Sequence, residues 1–451
     1  MEDTICAIST ASGVGAISII RVSGNESIKI VNKIFRGKDL EKVESHTINY
    51  GKIVENNKII DEVLVSIMKA PKTFTMEDVV EINCHGGIAI TNKILEILLM
   101  NGCRLAEPGE FTKRAFLNGR IDRIEAESVM DLINSKTEQS RKMAINGLNG
   151  EVSKIIKNLK NKELKILSNI EVNIDYPEYD DIEVLTNEKI LPDLESLKEE
   201  MKDIIKKSYD GKLIKDGITT SIIGKPNVGK SSLLNMLLEE EKAIVTDIEG
   251  TTRDIVEGQV IIDGIILNIL DTAGIRETNN TVEKIGVEKS IELIDKSDLL
   301  IFVLNNNEKI TKEEIDLLNK IKNKNYIIVI NKCDLENKLD IDNLKLDNII
   351  KMSVLNNEGL SKLKLKIKEI YNLEKIQTSD LTYLNNAKDI ALLKESLKNI
   401  ESAISNINNN IPIDMVEIDI KNACEKLNEI LGESYNDNLL NEMFSNFCLG
   451  K

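Results

Sequence analysis

Gly224-Lys225-Pro226-Asn227-Val228-Gly229-Lys230-Ser231 is the stretch that decides the fold. It matches G-x-x-x-x-G-K-[ST], the pattern of a phosphate-binding loop. The β-branched run at 218–223 predicts a strand before the loop, and the leucines at 233, 234 and 237 predict one face of a helix after it. A chance match on a glycine-rich turn is the alternative, and this strand–loop–helix context argues against it. The sequence therefore predicts a P-loop.

The residue types of this loop suit a phosphate ligand. Its glycines let the backbone curl so that successive N–H groups point at phosphate oxygens, and the helix N-terminus adds partial positive charge. Lys230 can reach the β- and γ-phosphates, which makes it a catalytic candidate, and the Ser231 hydroxyl can ligate Mg²⁺. The nucleotide-binding residues predicted here are Asn227, Val228, Gly229, Lys230, Ser231 and Ser232.

Three further motifs follow in the order that a guanine-nucleotide site requires. In Asp271-Thr272-Ala273-Gly274 the carboxylate can hold Mg²⁺ through water, and the glycine N–H can sense the γ-phosphate. In Asn331-Lys332-Cys333-Asp334 the carboxylate can accept two hydrogen bonds from guanine that adenine cannot offer. The motif at Ser353 would bring a backbone N–H to guanine O6. Strands and helices alternate from 217 to 375, so a doubly wound GTP-binding domain is predicted.

The segment between the first two motifs is predicted to reach the metal and the γ-phosphate. Thr252 is its catalytic candidate, because a threonine hydroxyl can complete the Mg²⁺ shell. Where many regulatory GTPases place a glutamine to orient water, this chain has Ile275, so the chemistry must be completed differently. Arg253 and Arg276 either supply positive charge or are solvated loop arginines. The nucleotide-binding residues predicted in this segment are Thr246, Asp247, Ile248, Glu249, Gly250, Thr251 and Thr252.

Composition limits the classes of function. With 75 acidic and 59 basic side chains and a net charge of -16, the chain is not expected to bind nucleic acid over its whole surface, so any RNA contact is local or shared. Six cysteines without a C-x-x-C pair argue against a zinc site or a disulfide framework, and two histidines argue against a His-based metal centre. No signal pattern follows Met1, and no run reaches the ~18 apolar residues of a membrane span, so a cytoplasmic location is expected.

The chain divides into four predicted segments. The simplest architecture inserts the GTPase domain into one helical domain that both flanks build together, and two separate helical bundles are the alternative. The predicted segments are an α+β domain at 1–118, the first helical part at 119–216, the GTPase domain at 217–375 and the second helical part at 376–451.

Several local expectations follow from residue patterns. Asp263-Gly264 predicts a tight hairpin turn, and the apolar run Leu299–Leu304 predicts a buried parallel strand. Helical spacing predicts a helix that ends near Gly211 and helices over 381–407 and 418–447. The glycine pair after His85 marks either a turn or a close approach of a ligand.

The chain resembles the MnmE (TrmE) tRNA-modification GTPases over its whole length. The C-terminal Cys448-Leu449-Gly450-Lys451, together with a GTPase domain inserted in a helical region, is highly specific to that family. The other matching stretches are 224–231, 246–254, 271–276 and 444–447. The resemblance implies a multidomain fold with an α+β N-terminal folate-binding domain, an all-α helical domain and an inserted α/β Ras-like P-loop GTPase domain.

The resemblance also implies how GTP is hydrolysed. It implies a homodimer joined largely through the N-terminal domains, with GTPase domains that meet when GTP is bound. K⁺ would take the place of an arginine finger, and by motif match Glu283 would orient the attacking water. A monovalent cation between the α- and γ-phosphates would supply the missing positive charge. The K⁺ ligands implied by the match are Asn227, the carbonyls of Thr246 and Ile248, and Thr251.

The family further implies the chemistry on tRNA. With an FAD-dependent partner, MnmG, its members modify C5 of the wobble uridine (position 34) of certain tRNAs, using glycine or ammonium. A tetrahydrofolate derivative, in the 5-formyl or 5,10-methylene form, is the one-carbon donor. Arg120 stands where many relatives have lysine, and Cys448 is either a reactive residue or an unperturbed thiol. The positions that match folate contacts are Arg21, Glu81, Arg120 and Lys451.

The chain departs from the family pattern at two places. Ser353-Val354-Leu355 replaces the usual Ser-Ala-Lys and removes a lysine that packs on the base, and 384–388 lacks an Arg-His pair common in that helix.

A ribosome-assembly GTPase that binds RNA is the alternative function, but 376–451 is helical and not notably basic. A GTPase switch that docks to proteins or membranes is a third, without a basic amphipathic helix or lipidation motif to support it.

Overall fold

The structure is a computed structural model, and the part described here forms two compact units. The N-terminal unit consists of Met1–Met130, Gly147–Glu199 and Leu392–Lys451, and the nucleotide unit of Asp131–Asn146 and Glu200–Ala391. The described residues are 3–175, 187–240, 256–270, 292–373, 376, 380–434, 443–445, 447 and 450. The segment boundaries predicted at 119, 217 and 376 stay a prediction.

A seven-stranded sheet forms one side of the N-terminal unit. Its spatial order is β3-β4-β5-β6-β2-β1-β7, and every neighbouring pair is antiparallel except β1 with β7. Two helices cover one face with aliphatic side chains, α1 at Ser27–Ile34 and α2 at Ile88–Met100. The strands are β1 Ile5–Ile8, β2 Ile17–Ser23, β3 Phe35–Arg36, β4 Thr47–Glu55, β5 Lys58–Met68, β6 Val79–His85 and β7 Arg104–Leu105.

The opposite face of this sheet carries exposed apolar side chains. Ile17, Ile48, Tyr50 and Leu64 are 47% to 68% exposed. Tyr50 is the cross-strand partner of Leu64, which in turn pairs with Asn83, so the apolar side chains are neighbours on adjacent strands. A sheet face of this kind is available for contact with another surface.

The glycine pair after His85 forms a strand-to-helix turn in which two chain segments approach closely. A Cβ atom on Gly86 would lie 2.4 Å from the carbonyl oxygen of Gly15. Gly15 N–H donates to Gly86 O at 2.9 Å, and Gly87 precedes the first residue of α2. The turn interpretation is therefore confirmed, and the close approach is by backbone.

Helices from both sides of the nucleotide segment pack on each other in the N-terminal unit. The helix α6 runs against α12 in antiparallel fashion, because Lys160 pairs with Glu433 and Lys421 with Glu171. The helices with residues in this unit are α3 Glu110–Leu117, α4 Arg123–Asn134, α6 Glu151–Asp175, α7 Asn187–Asp216, α11 Ala387–Asn408 and α12 Ile413–Leu431, while α5 is Glu138–Leu148.

Four of the predicted helix boundaries were wrong. The helix predicted from 418 begins earlier, at Ile413. The helix predicted over 418–447 ends at Leu431, because Gly432 takes a left-handed φ of 77° and closes the last turn. The helix predicted from Leu381 begins at Ala387, since the Asn386 side chain accepts the Lys388 N–H and caps it. Gly211 lies inside α7, where a Cβ atom would approach Tyr383 Cβ to 2.8 Å, so this glycine serves close packing.

A carboxyl group is buried between three helices of the N-terminal unit. Glu163 of α6 is fully buried, and Oε1 lies 3.3 Å from Ser396 Oγ of α11. Ser396 Oγ also lies 3.1 Å from the Ala423 carbonyl of α12. Burial raises the pKa of Glu163 to about 8. A protonated Glu163 can donate to Ser396, which then donates to Ala423, so the neutral acid fits this core.

This carboxyl makes stability depend on pH. The pKa of this carboxyl is near its ordinary value of 4.5 in the unfolded chain and about 8 in the folded one, so unfolding releases a proton between these values and stability falls as the pH rises through this window. The glutamine in Glu163→Gln cannot ionise. The free energy of unfolding of this variant, relative to that of the parent, should therefore rise by about 1–2 kcal/mol from pH 6 to pH 8. Urea unfolding at both pH values measures this difference. A difference that stays constant with pH would contradict the assignment.

A six-stranded sheet is the centre of the nucleotide unit. Its order is β13-β12-β11-β8-β10-β9, with all neighbours parallel except β9 and β10. The helices α8 Lys230–Glu240, α9 Lys312–Ile321 and α10 Leu360–Tyr371 follow strands of this sheet. The strands are β8 Ile218–Ile223, β9 Val256–Ile262, β10 Ile265–Leu270, β11 Leu299–Asn305, β12 Asn325–Asn331 and β13 Ile349–Lys351.

Both faces of this sheet are buried, as the continuous apolar runs predicted. Every residue of β11 is buried, with Ile301 in the core on one face and Phe302 in the core on the other. The turn between β9 and β10 is also confirmed, because Asp263 and Gly264 take φ values of 49° and 81°. The carboxyl ends of the parallel strands therefore meet at one edge, where a doubly wound sheet binds its ligand.

Candidate nucleotide site

The loop between β8 and α8 has the close backbone packing that its glycines predict. A Cβ atom on Gly224 would lie 2.4 Å from the Val303 carbonyl oxygen, and one on Gly229 would lie 2.2 Å from Asn331 Nδ2. Gly224 and Gly229 have φ values of 147° and 102°, which favour glycine. The first turn of α8 contains no acidic residue, so its positive end is available for an anion.

Lys230 is held in this loop by two neutral groups. Its Nζ donates to the Gly224 carbonyl at 2.8 Å and to the Lys225 carbonyl at 2.5 Å. Burial lowers the pKa of Lys230 to about 8. Among the described residues its partners are carbonyl oxygens, which satisfy hydrogen bonds without balancing the charge, so an anionic phosphate would suit this ammonium. The loop therefore fits a nucleoside phosphate.

One side chain joins three of the predicted motifs. Asn331 Nδ2 donates to the Val228 carbonyl at 2.9 Å, and Asn331 Oδ1 accepts the Val354 N–H at 3.1 Å. Lys332 Nζ donates to the Asn227 carbonyl at 2.8 Å. The P-loop, the Asn-Lys-Cys-Asp motif and the motif at Ser353 therefore lie together at one edge of the sheet.

The carboxylate that is predicted to read the base is held by a hydroxyl. Ser353 Oγ donates to Asp334 Oδ1 at 2.5 Å, and the Ser353 N–H is bonded to the Glu358 carbonyl at 3.1 Å. Asp334 itself is exposed, so it is accessible to a base. The backbone N–H of Ser353 is thus already occupied, and the hydroxyl contact to Asp334 is a role that motif spacing missed.

The remaining nucleotide residues lie outside the described part of the chain, and their roles stay predictions. The same holds for Cys448 and Lys451 of the C-terminal motif. The nucleotide residues are Thr246, Asp247, Ile248, Glu249, Gly250, Thr251, Thr252, Asp271, Thr272, Ala273, Gly274 and Glu283, with the arginine candidates Arg253 and Arg276.

A second cluster of polar residues lies in the N-terminal unit. Arg21 of β2 pairs with Glu81 of β6 at 2.8 Å, and the two residues are cross-strand partners. Arg21 Nη1 also donates to the Gly450 carbonyl at 3.4 Å, as does Ser9 Oγ at 3.1 Å. The chain thus brings its C-terminal motif to a pair near its N-terminus.

Two arginines of the predicted folate site each lie over an aromatic ring. Arg21 lies over the Phe111 ring at 5.6 Å, and Arg120 lies over the Phe74 ring at 4.9 Å. Phe74 packs against the small core that contains Phe111 and against the one that contains Phe444. Arg120 therefore belongs to the same neighbourhood as Arg21. Ser9, Phe74 and Phe111 were missed because nothing in their local sequence marks them.

Comparison with known proteins identifies the family. A model of the GTP-binding protein TrmE N-terminus matches residues 4–120, and one of the MnmE helical domain matches residues 124–448. A tRNA modification GTPase MnmE from Ligilactobacillus salivarius is 51% identical, covering 100% of this chain and 98% of its own. The chain belongs to the MnmE family of tRNA modification GTPases. A Bacillus cytotoxicus MnmE is 49% identical and covers 100% of this chain and 99% of its own. A Streptococcus thermophilus MnmE is 50% identical and covers 100% of this chain and 98% of its own.

Membership of the MnmE family rests on these full-length matches. Among solved structures, the G domain of the T. maritima FeoB iron transporter covers 34% of this chain and 98% of its own at 24% identity, with a TM-score of 0.24, which is too low to support an argument. Within the described ranges, no helix of this MnmE-family chain has the length and apolar character needed to span a membrane.

Leu355 is one of the two departures at the motif that begins with Ser353. Leu355, which stands where a lysine is usual, is 85% exposed. It follows Val354, whose N–H is held by Asn331. At this position an exposed leucine offers apolar surface instead of a charge.

Proposed function

We propose that this chain is a K⁺-activated, GTP-hydrolysing protein of tRNA modification. With an FAD-dependent MnmG-type partner it adds a carboxymethylaminomethyl group to C5 of the wobble uridine of certain tRNAs, and a tetrahydrofolate derivative is the one-carbon donor. The observation that carries the GTP part is the position of Asn331, whose side chain ties the phosphate loop to the guanine-reading motifs. This arrangement supports one ligand with phosphates at Lys230 and a guanine at Asp334.

In the proposed mechanism the residues of the chain bind and orient the nucleotide. Lys230 exchanges its carbonyl partners for the β- and γ-phosphate oxygens, and Asp334 accepts from guanine N1–H and its amine. Ser231 and Thr252 would hold Mg²⁺, and Glu283 would orient the water. Asn227, Thr246, Ile248 and Thr251 would hold K⁺. These ions, when bound, supply the positive charge that offsets the charge developing on the phosphoryl group.

The folate part of the proposal rests on the cluster around Arg21. An ion pair beside a carbonyl offers donors and acceptors, and the nearby Phe111 and Phe74 rings offer apolar surface, which together suit a polar heterocycle. Arg21, Glu81, Arg120 and Lys451 would hold the folate derivative. The Gly450 carbonyl at Arg21 supports a role of the C-terminal motif in the same site.

The proposed assembly is a homodimer that binds the MnmG-type partner as a heterotetramer. The exposed apolar side chains of Ile17, Ile48, Tyr50 and Leu64 support contact between two N-terminal units, because their burial would remove apolar surface from water.

The experiment that tests the proposed GTP chemistry is turnover by the purified protein in matched KCl and NaCl buffers. We expect strong acceleration in KCl, because K⁺ would replace an arginine finger. Equal slow rates in both salts would reject the K⁺ assignment of Asn227 and 246–251 and would redirect attention to Arg253, Arg276 or a partner's arginine.

Arg21→Ala should weaken binding of a tetrahydrofolate derivative by about 10- to 100-fold, because it removes a half-buried charge and leaves Glu81 without this partner. GTP turnover should stay within about twofold, since the two sites are built from separate parts of the chain. Fluorescence titration with 5-formyltetrahydrofolate measures the first effect. Arg36→Ala is the matched control, as Arg36 is exposed in the same sheet. Equal loss of both activities would indicate misfolding instead.

A further inference from the structure

The β9–β10 hairpin connects the two segments that are proposed to sense the γ-phosphate. β9 begins at Val256, directly after the segment that contains Thr252, and β10 ends at Leu270, directly before Asp271. β9 is the edge strand of the sheet, and its one strand neighbour is β10. The position of this hairpin therefore determines where both segments start.

The turn before α5 is built to present a lysine to this hairpin. Thr137 Oγ1 accepts the Ser140 N–H at 3.1 Å, and Ser140 Oγ accepts the Thr137 N–H at 3.1 Å, which is a reciprocal cap of the helix. Both residues are buried, and Met143 of the same helix packs in the core of the nucleotide unit. Lys136, which immediately precedes this cap, is therefore held in a defined place.

Lys136 is the first member of a hydrogen-bonded chain across the hairpin. Its Nζ donates to Gln259 Oε1 of β9 at 2.7 Å, and Gln259 Nε2 donates to Asn268 Oδ1 of β10 at 2.8 Å. Asn268 Nδ2 donates to the carbonyl of Asp216, the last residue of α7, at 2.7 Å. Gln259 and Asn268 are direct cross-strand partners. This chain links α5, both hairpin strands and α7.

The tip of the hairpin is held as well. A Cβ atom on Gly264 would lie 2.0 Å from Gln139 Oε1, so this side chain packs directly against the turn. On the other residue of the turn, Asp263 pairs with Lys368 of α10. The hairpin is thus restrained at its tip by Gln139 and along its strands by Lys136.

The position of Lys136 costs desolvation free energy that a fully solvated lysine would not lose. It is partly buried, it donates to the neutral amide of Gln259, and burial lowers the pKa of its ammonium. A charge held in this way is replaced at little cost by an apolar side chain unless its hydrogen bond is needed.

We propose that Lys136 and Gln139 are positioning residues of the GTP site, which act by holding the β9–β10 hairpin, whose two ends lead in the sequence to Thr252 and Asp271. The inference rests on the proposed GTP-hydrolysing function and adds its regulation. Because such coupling is reciprocal, the nucleotide state must also alter the segment 131–146.

The first test is steady-state GTP turnover of the full chain in KCl. Lys136→Met should lower kcat by about five- to tenfold, while the Kd for GDP stays within about twofold, because the phosphate loop and Asp334 are untouched. Lys136→Arg should restore most of the rate, since a guanidinium can donate to the same Gln259 oxygen. Lys142→Met is the matched control, because Lys142 is an exposed lysine of α5, the helix that Lys136 precedes.

A double-mutant cycle tests whether the hydrogen bond carries the effect. If Lys136 acts through Gln259, then Lys136→Met combined with Gln259→Leu should lower kcat no more than the stronger single change. Additive losses would reject the pathway. If Lys136→Met fails to fold, Gln139→Ala replaces it in the test, because that truncation leaves the cap and core of α5 intact. An unchanged kcat in Gln139→Ala would overturn the proposal.

Hydrogen exchange gives a readout that a merely structural role would not move. Amide exchange of 131–146 should differ between GDP and a non-hydrolysable GTP analogue, and Lys136→Met should remove the difference. Identical exchange with both nucleotides in the parent chain would overturn the proposal. Absence of GTP turnover in the parent would reject the proposed function, whereas normal turnover with an unaffected Lys136→Met would reject the positioning role alone.

Discussion

Replacing Lys230 by alanine is expected to lower GTP turnover by about 10²- to 10³-fold, the range found when one donor that stabilises developing negative charge is removed from an acyl-transfer site. The ammonium is already directed into the phosphate loop by the carbonyls of Gly224 and Lys225. Burial lowers its pKa to about 8, and these carbonyl partners carry no charge to balance the ammonium. A bound phosphate would do so, and alanine removes this interaction.

Phosphate release under saturating GTP, together with fluorescence titration of GTP and GDP, measures this effect. Lys320→Ala is the matched control, because Lys320 is an exposed lysine in the last turn of α9 in the same unit. Melting temperature should be retained or raised in Lys230→Ala, since the variant no longer buries an unbalanced charge. Turnover at the parent's rate would reject the role of Lys230.

Replacing Asp334 by asparagine is expected to exchange guanine for xanthine as the preferred base. Asp334 would accept from guanine N1–H and the exocyclic amine, and each charge-assisted hydrogen bond contributes about 1.5–3 kcal/mol. Losing both lowers GTP affinity by about 10²- to 10⁴-fold. An asparagine amide can donate to the additional carbonyl of xanthine, so XTP should bind more tightly to the variant than to the parent.

Competition titrations of GTP, XTP and ATP against a fluorescent guanine nucleotide test this exchange. Ser353 should still donate to residue 334 in the variant, because an amide oxygen accepts as a carboxylate does, so the fold of the site is kept. Glu336→Gln is the control, as Glu336 is a nearby acid that is 81% exposed. Unchanged selectivity for GTP would refute the base-reading role.

Local patterns were sufficient for much of the nucleotide unit. The spacing of Gly224 and Gly229 predicted the curled loop, Asp263-Gly264 predicted the hairpin turn, and Leu299–Leu304 predicted a strand buried on both faces. Each of these features depends on backbone conformation or on alternation within a few residues, so the chain carries the information locally.

Helix boundaries depended on partners that the pattern does not contain. Gly211 reads as a helix end, yet it lies within α7 because residues 383 and 384 pack against it. The cap at Asn386 sets the start of α11. Periodicity alone placed this start too early. The pattern of apolar residues records which side is buried, and it does not record what approaches that side.

The sequence by itself determined the order of the motifs, the chemistry of the loop and the family of the chain, because these rest on residue type and on short spacing. Only the tertiary structure decided that Asn331 joins Val228 to Val354, that Gly450 meets Arg21, and that Lys136 reaches Gln259. These contacts connect residues that are far apart in the chain. They form because packing of the sheets and helices closes those distances, and no spacing along the sequence encodes that packing.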